Sequence, residues 1–176
     1  TGVWRASPER KADFGLNFVG GQEADIEFSP LIEERFVAAC RRDHELARRR
    51  KVSWSELARY DYISVSKSSG NRLLLDQALA NLVDRPQSIY ETQHVTTMLG
   101  LVEAGLGVAA VPSIAMPGAD HPLLVSVPLV DPVVTRKVGL IRRKSRALSP
   151  SADQLYSFFS ELKIGRLKGT SVPRAR

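Results

Sequence analysis

The sequence predicts an α/β protein built on a parallel sheet, and three observations carry that expectation. Residues 62–111 alternate between short apolar runs and longer segments of helical spacing, the strand–helix–strand–helix–strand order of right-handed crossovers. The links between these segments are short and polar. At 176 residues and 43% hydrophobic composition, the chain can also bury a real core, in one domain or two small lobes.

The elements follow in order. Residues 13–19 (DFGLNFV) read as a strand, broken by Gly20 and Gly21. An extended stretch at 26–28 leads through Pro30 to a second strand in ERFVAAC (34–40). The segment DHELA (43–47) and the basic residues after it read as a loop. Ser53, with Glu56 three residues on, matches a capping box for a short helix in WSELARY (54–60).

YISV (62–65) is then a strand, SKSSGN (66–71) a polar loop, and RLLLDQALANLV (72–83) a helix. Leu74, Leu75, Ala78, Leu79 and Leu82 are spaced to face inward on it. QSIYE (87–91) is the next strand, 93–104 a second helix and VAAV (108–111) the third strand. Two further extended segments, 123–130 and 137–143, flank Asp131-Pro132. A last helix opens at Ser149 as N-cap with Pro150 in the first turn, and carries Leu155, Phe158, Phe159 and Leu162 as its apolar stripe.

One motif invites a different function. Gly105-Leu106-Gly107-Val108-Ala109-Ala110 fits G-x-G-x-x-A, a form of the dinucleotide fingerprint. A phosphate loop needs a strand before the glycines and a helix after, so that the helix N-terminus faces the pyrophosphate. Here Val95, Met98, Leu99 and Val102 place a helix before them, and an apolar run ending at Pro112 places a strand after. Gly105 reads as the left-handed residue closing a helix, and Gly107 as a point where the strand passes close to that helix.

Composition narrows the class further. No apolar run approaches the roughly 20 residues of a membrane span, and no secretory leader opens the chain. Cys40 is the single cysteine, which excludes an internal disulfide framework and suits the cytoplasm; it reads as a small buried residue rather than a partner of His44. The formal charge is +6, with basic clusters at 41–51, 142–146 and the C-terminal tail. These lack aromatic interleaving and a recognition-helix pattern, so they read as solvated surface. His44, His94 and His121 are isolated, and no nucleophile elbow, zinc motif or Walker loop occurs.

In open parallel sheets ligands bind beyond the carboxyl ends of the strands. Two loops fall there. Ser66, Lys67, Ser68, Ser69, Gly70 and Asn71 offer short donors, a backbone approach and a positive charge, with Arg72 beside them; Thr92, Gln93 and His94 form the second loop. Together they suit a small organic anion. Serine and asparagine also cap helices whether or not a ligand binds.

Several of these stretches, in order, resemble the LysR-type transcriptional regulators: ADFGL (12–16), ERFVAACRRDHELA (34–47), SWSELARY (53–60), YISVS (62–66), MLGLVEAGLGVAAVPSIA (98–115) and LSPSADQLYSFFSEL (148–162). Glu45 departs from the proline usual in that stretch. The resemblance implies the effector-binding domain of such a regulator, a two-lobed, type 2 periplasmic-binding-protein-like fold with its first lobe incomplete. Residues 24–125 would form the second lobe. Residues 1–23 and 126–164 would be the remnant of the first, with crossovers near Gly20-Gly21 and Val127-Pro128, and 165–176 a flexible basic tail. It places pocket positions at the 66–71 loop and, in the first lobe, at Asn17 and Phe18.

The function so implied is a sensor, not an enzyme, with no cofactor and no metal. It would bind a small effector between its lobes, act as a homodimer or homotetramer in the cytoplasm, and meet DNA only through an absent N-terminal domain. A periplasmic-type solute-binding protein and a nucleotide-cofactor α/β enzyme are the alternatives.

Overall fold

A computed structural model describes residues 12–18 and 24–161. The chain divides into two compact units, Arg35–Thr135 on one side and Thr1–Glu34 with Arg136–Arg176 on the other. The expected crossover at Gly20-Gly21 and the expected tail at 165–176 lie outside the described residues.

Within Arg35–Thr135 the sheet is mixed. Strands β4 (Tyr62–Val65), β5 (Ser88–Thr92) and β6 (Val108–Pro112) are parallel, and β4 lies between the other two. Strand β2 (Ile26–Arg41) runs antiparallel to β6 through Phe36–Ala39 and, on its other side, antiparallel to β7 (Leu124–Val130). The two-residue β3 (Val52–Ser53) joins β7 in parallel. The expected crossover at Val127-Pro128 thus falls inside β7.

Alternation along these strands builds two cores. Phe36, Ala38 and Cys40 of β2, Tyr62 of β4, and Val108 and Ala110 of β6 face one side. There they meet Trp54 and Leu57 of α1 (Trp54–Leu57) and Leu75 and Leu79 from α2 (Gly70–Ala78) and its C-cap. Val37, Ala39, Ile63, Val65, Ala109 and Val111 face the opposite side, against Met98, Leu99 and Val102 of α3 (Val95–Glu103). A side-chain period of two therefore serves both faces of one sheet.

In the described part of the other unit, β1 (Gly15–Phe18) pairs antiparallel with β8 (Thr135–Arg143). Helix α4 (Pro150–Glu161) buries Tyr156, whose ring meets Phe14 edge-on at 5.4 Å and carries the Arg142 guanidinium at 4.8 Å. Arg136 and Glu34 form a buried ion pair at 2.7 Å.

Several expectations need correction. The two extended pieces at 26–28 and 34–40 are one continuous strand, because Pro30 removes a donor without leaving extended geometry. The loop at 43–51 contains a 3-10 turn, Glu45–Arg48. Helix α2 begins two residues before the predicted position and ends at Ala78; of its predicted inner face Leu75 and Leu79 are buried, while Ala78 is exposed. On α4, Leu155 and Phe158 are exposed and Tyr156 is the buried residue, because Phe14 and Arg142 hold its ring; Leu162 lies outside the described residues.

The glycine motif has the predicted direction. Leu106 N–H donates to Leu101 O at 3.1 Å and Gly105 N–H to Val102 O at 2.9 Å, the paired bonds of a Schellman end, with Gly105 at φ +82. Gly107, at φ +150, has a different neighbour from the one expected: a Cβ there would run into the Asp61 carbonyl, not into the helix. Gly107→Ala is expected to cost about 1–3 kcal/mol. Gly100→Ala, exposed in α3 with open space around it, should stabilise by up to about 1 kcal/mol. Urea midpoints of the two variants check both signs.

The capping box at α1 is complete: Ser53 Oγ accepts from Glu56 N–H at 3.2 Å, and Glu56 Oε2 accepts from Ser53 N–H at 2.9 Å. The backbone and hydroxyl hydrogen bonds from Ser53, ahead of the nearby Arg49 and Arg59 charges, hold the Glu56 carboxyl below its ordinary value. A depressed folded value makes this contribution full above the unfolded carboxylate range and lost as pH falls through the folded one. The stability gap between the native chain and Glu56→Gln should therefore close on acidification, as read by denaturation at a series of pH values.

Candidate functional site

Parallel pairing brings the two predicted loops to one edge of the sheet. β4 and β5 run in register from Ile63↔Tyr90 to Val65↔Thr92 and end together. α2 and α3, nine residues each, start just beyond, with Ser69 and His94 as N-caps. Neither N-cap side chain bonds its own helix.

Hydrogen bonds stitch the loops to each other. Ser66 N–H donates to Thr92 O at 2.8 Å, and Ser69 N–H turns back to Ser66 O at 2.9 Å. The Ser66 and Ser68 hydroxyls lie 3.0 Å apart, and Ser66 Oγ reaches Gln93 Oε1 at 3.4 Å. Thr92 Oγ1 donates to His94 O at 3.1 Å. Lys67, Ser68, Gln93 and His94 are exposed, whereas Ser66, Ser69, Gly70, Asn71 and Thr92 are half-buried. The chemistry on offer is a fixed set of hydroxyls and amides with one flexible ammonium, suited to an anion or a hydroxylated ligand. Gly70 and Asn71 belong to the first turn of α2, and Thr92 to the last position of β5, rather than to the loops, because Thr92 pairs with Val65.

Arg72 does something other than supply counter-charge to this edge. Its guanidinium binds Asp76 at 2.9 Å, Ser64 Oγ at 2.8 Å and Glu91 at 3.4 Å, tying α2 to β4 and β5. The Ser64 hydroxyl, buried on β4, donates to Val65 O at 2.8 Å. Sequence reasoning missed this tie, and no local pattern announces it: Ser64 and Arg72 sit on different elements.

The remaining predicted residues, and the two histidines outside the predicted site, are placed as follows. Asn17 and Phe18 lie on β1, in the other unit; Asn17 Oδ1 accepts from Phe18 N–H at 2.8 Å, and the Arg136 guanidinium sits 4.8 Å over the Phe18 ring. His44 Nδ1 accepts from Leu46 N–H at 3.2 Å. His121 Nδ1 receives Leu124 N–H at 3.0 Å. Among the described residues no cluster of three His, Cys, Asp or Glu side chains could hold a metal, and no helix is long and apolar enough to cross a membrane.

The mixed α/β sheet is that of an effector-binding domain of the type 2 periplasmic-binding-protein-like fold. The chain belongs to the LysR substrate binding domain family, which matches residues 2–163. It is 47% identical over 152 residues to the HTH-type transcriptional regulator YbhD of Escherichia coli (strain K12), covering 86% of this chain and 48% of that protein. The chain thus spans about half the length of the curated relatives it matches. Among solved structures it is similar to the effector binding domain of QuiR in complex with shikimate, at 27% identity and TM-score 0.72, over 86% of this chain and 71% of that one. The regulatory domain of Synechocystis PCC6803 CcmR in complex with 2-PG shares the fold at 18% identity and TM-score 0.75, over 86% and 73% of the two chains.

Cys40 is fully buried on β2. Burial, ahead of the nearby Asp43 charge, pushes its thiol up to about 12, so it stays neutral and sheltered. It should resist a disulfide reagent in the native chain and react with one equivalent only after denaturation, as followed by thiolate absorbance.

Proposed function

We propose that this chain senses a small organic anion at the paired loops 66–71 and 92–94 and passes the signal to a longer regulator. The observation that carries the reading is the convergence of two helix N-termini at the ends of adjacent parallel strands, with Ser66 bonded to Thr92 across them. Ser66, Ser68, Ser69 and Asn71 supply hydrogen bonds, Gly70 a backbone amide, and Lys67 the countercharge; Thr92 and His94 close the second side. Asn17 and Phe18 stay in the proposed binding set through the family resemblance. The shikimate held by QuiR and the 2-PG held by CcmR support a small oxygen-rich ligand.

The role is regulatory rather than catalytic, in line with relatives that are transcriptional regulators. An effector bound more tightly in one conformation would shift the population of a cytoplasmic homodimer or homotetramer and so the placement of its DNA-binding regions. The test is isothermal titration of the chain with shikimate and a series of other small carboxylates. Ser68→Ala and Asn71→Ala should each weaken a binding anion by about 0.5–1.5 kcal/mol, and Lys67→Gln should reduce its salt dependence. Unchanged affinity in both alanine variants would overturn the site.

A further inference from the structure

The basic run Arg48-Arg49-Arg50-Lys51 reads as solvated surface in the sequence, but its setting in the fold changes that reading. We infer that it is a docking surface for the phosphate backbone of duplex DNA, bound without regard to base sequence.

The run is held rather than loose. Leu46, 2% exposed, anchors the turn before it, Arg49 N–H closes that turn on Leu46 O at 3.0 Å, and Val52, fully buried on β3, anchors the chain after it. All four basic side chains between these anchors are exposed. Their charge is not neutralised locally. Among the described residues Arg48, Arg50 and Lys51 make no ion pair. Over 45–59 five cations (these four and Arg59) face only two carboxylates, Glu45 and Glu56. Glu56, in the Ser53 capping box, lies near Arg49 and Arg59, and Glu45 hydrogen-bonds the Tyr60 hydroxyl, so an excess of positive charge remains at Arg48, Arg50 and Lys51. Like charges placed side by side on a fixed backbone raise the local potential, which an extended polyanion relieves.

The surroundings favour nucleic acid over an acidic protein. A protein interface has an apolar centre inside its polar rim. No large hydrophobic residue between 41 and 62 is exposed; the apolar side chains of that stretch are turned into the core. Arg48 ends a four-residue 3-10 turn and Arg49–Lys51 lie in neither helix nor strand, so the run has no recognition helix or ribbon for base edges and meets phosphates alone. The effector loops at 66–71 and 92–94 take no part.

The experiment is fluorescence anisotropy of a short labelled duplex of mixed sequence titrated with the 176-residue chain over about 50–200 mM salt. The variant R48Q/R49Q/R50Q/K51Q should bind at least about tenfold more weakly at the low-salt end. Its slope of log affinity against log salt should fall by about 3–4, close to one for each phosphate no longer neutralised. The charge-preserving variant R48K/R49K/R50K should retain the native slope, which separates a missing charge from a failure to fold. An unchanged slope in the glutamine variant would overturn the proposal. Run-dependent binding of polyglutamate with no binding of the duplex would overturn it too, and would assign the surface to an acidic protein.

Discussion

The fold depends on how one short strand is held. β4 has four residues, Tyr62–Val65, all buried, with a parallel neighbour on each side. Tyr62 enters the core under α1 and α2, and Ile63 and Val65 enter the core under α3. Ser64 is the polar exception, and its hydroxyl is satisfied on both sides, by Val65 O and by Arg72 of α2. An unpaired hydroxyl at that depth would cost about 1–3 kcal/mol. The arginine that removes this cost also fixes where α2 starts relative to β4, and through Glu91 where β5 lies. The geometry of the loops beyond β4 and β5 follows from that tie.

Buried neighbours also decide what the glycines do. The same six residues would serve a nucleotide if a strand led into them and a helix led out. In this chain α3 ends at Glu103 and β6 begins at Val108, so the amides at Gly105 and Leu106 are consumed by the carbonyls of the preceding turn. Arg41 reinforces the ending: its guanidinium donates to Glu103 O at 3.0 Å while binding Asp43, placing a cation where the helix dipole is negative. Gly107 then lets Val108 donate to Asp61 O at 2.8 Å, which brings β6 into register beside β4.

Much of this was legible because it is local. The Ser53–Glu56 box, the strand at 62–65 and the Schellman end at Gly105 each need only residues within about one helical turn, and each stands where spacing put it. The pairing of the 66–71 loop with Thr92–His94 was legible too, because strand–helix–strand order with short links permits few topologies. Other features were hidden. The Leu155 and Phe158 stripe of α4 has the right period for a buried face, yet Tyr156 is the residue that packs. Period tells that a helix has two faces; it does not tell which one meets a neighbour.

The sequence by itself determined the strand–helix order over 62–111, the direction of chain through the glycines and the bounds of β4, since these rest on backbone sterics and nearest-neighbour hydrogen bonds. Tertiary structure alone decided that 26–41 is a single strand, that α2 opens at Gly70, that Arg72 serves Ser64 and Glu91, and that Arg48–Lys51 is pinned at both ends. Those outcomes are set by strand pairing and by contacts between different elements, which the pattern within any one element does not contain.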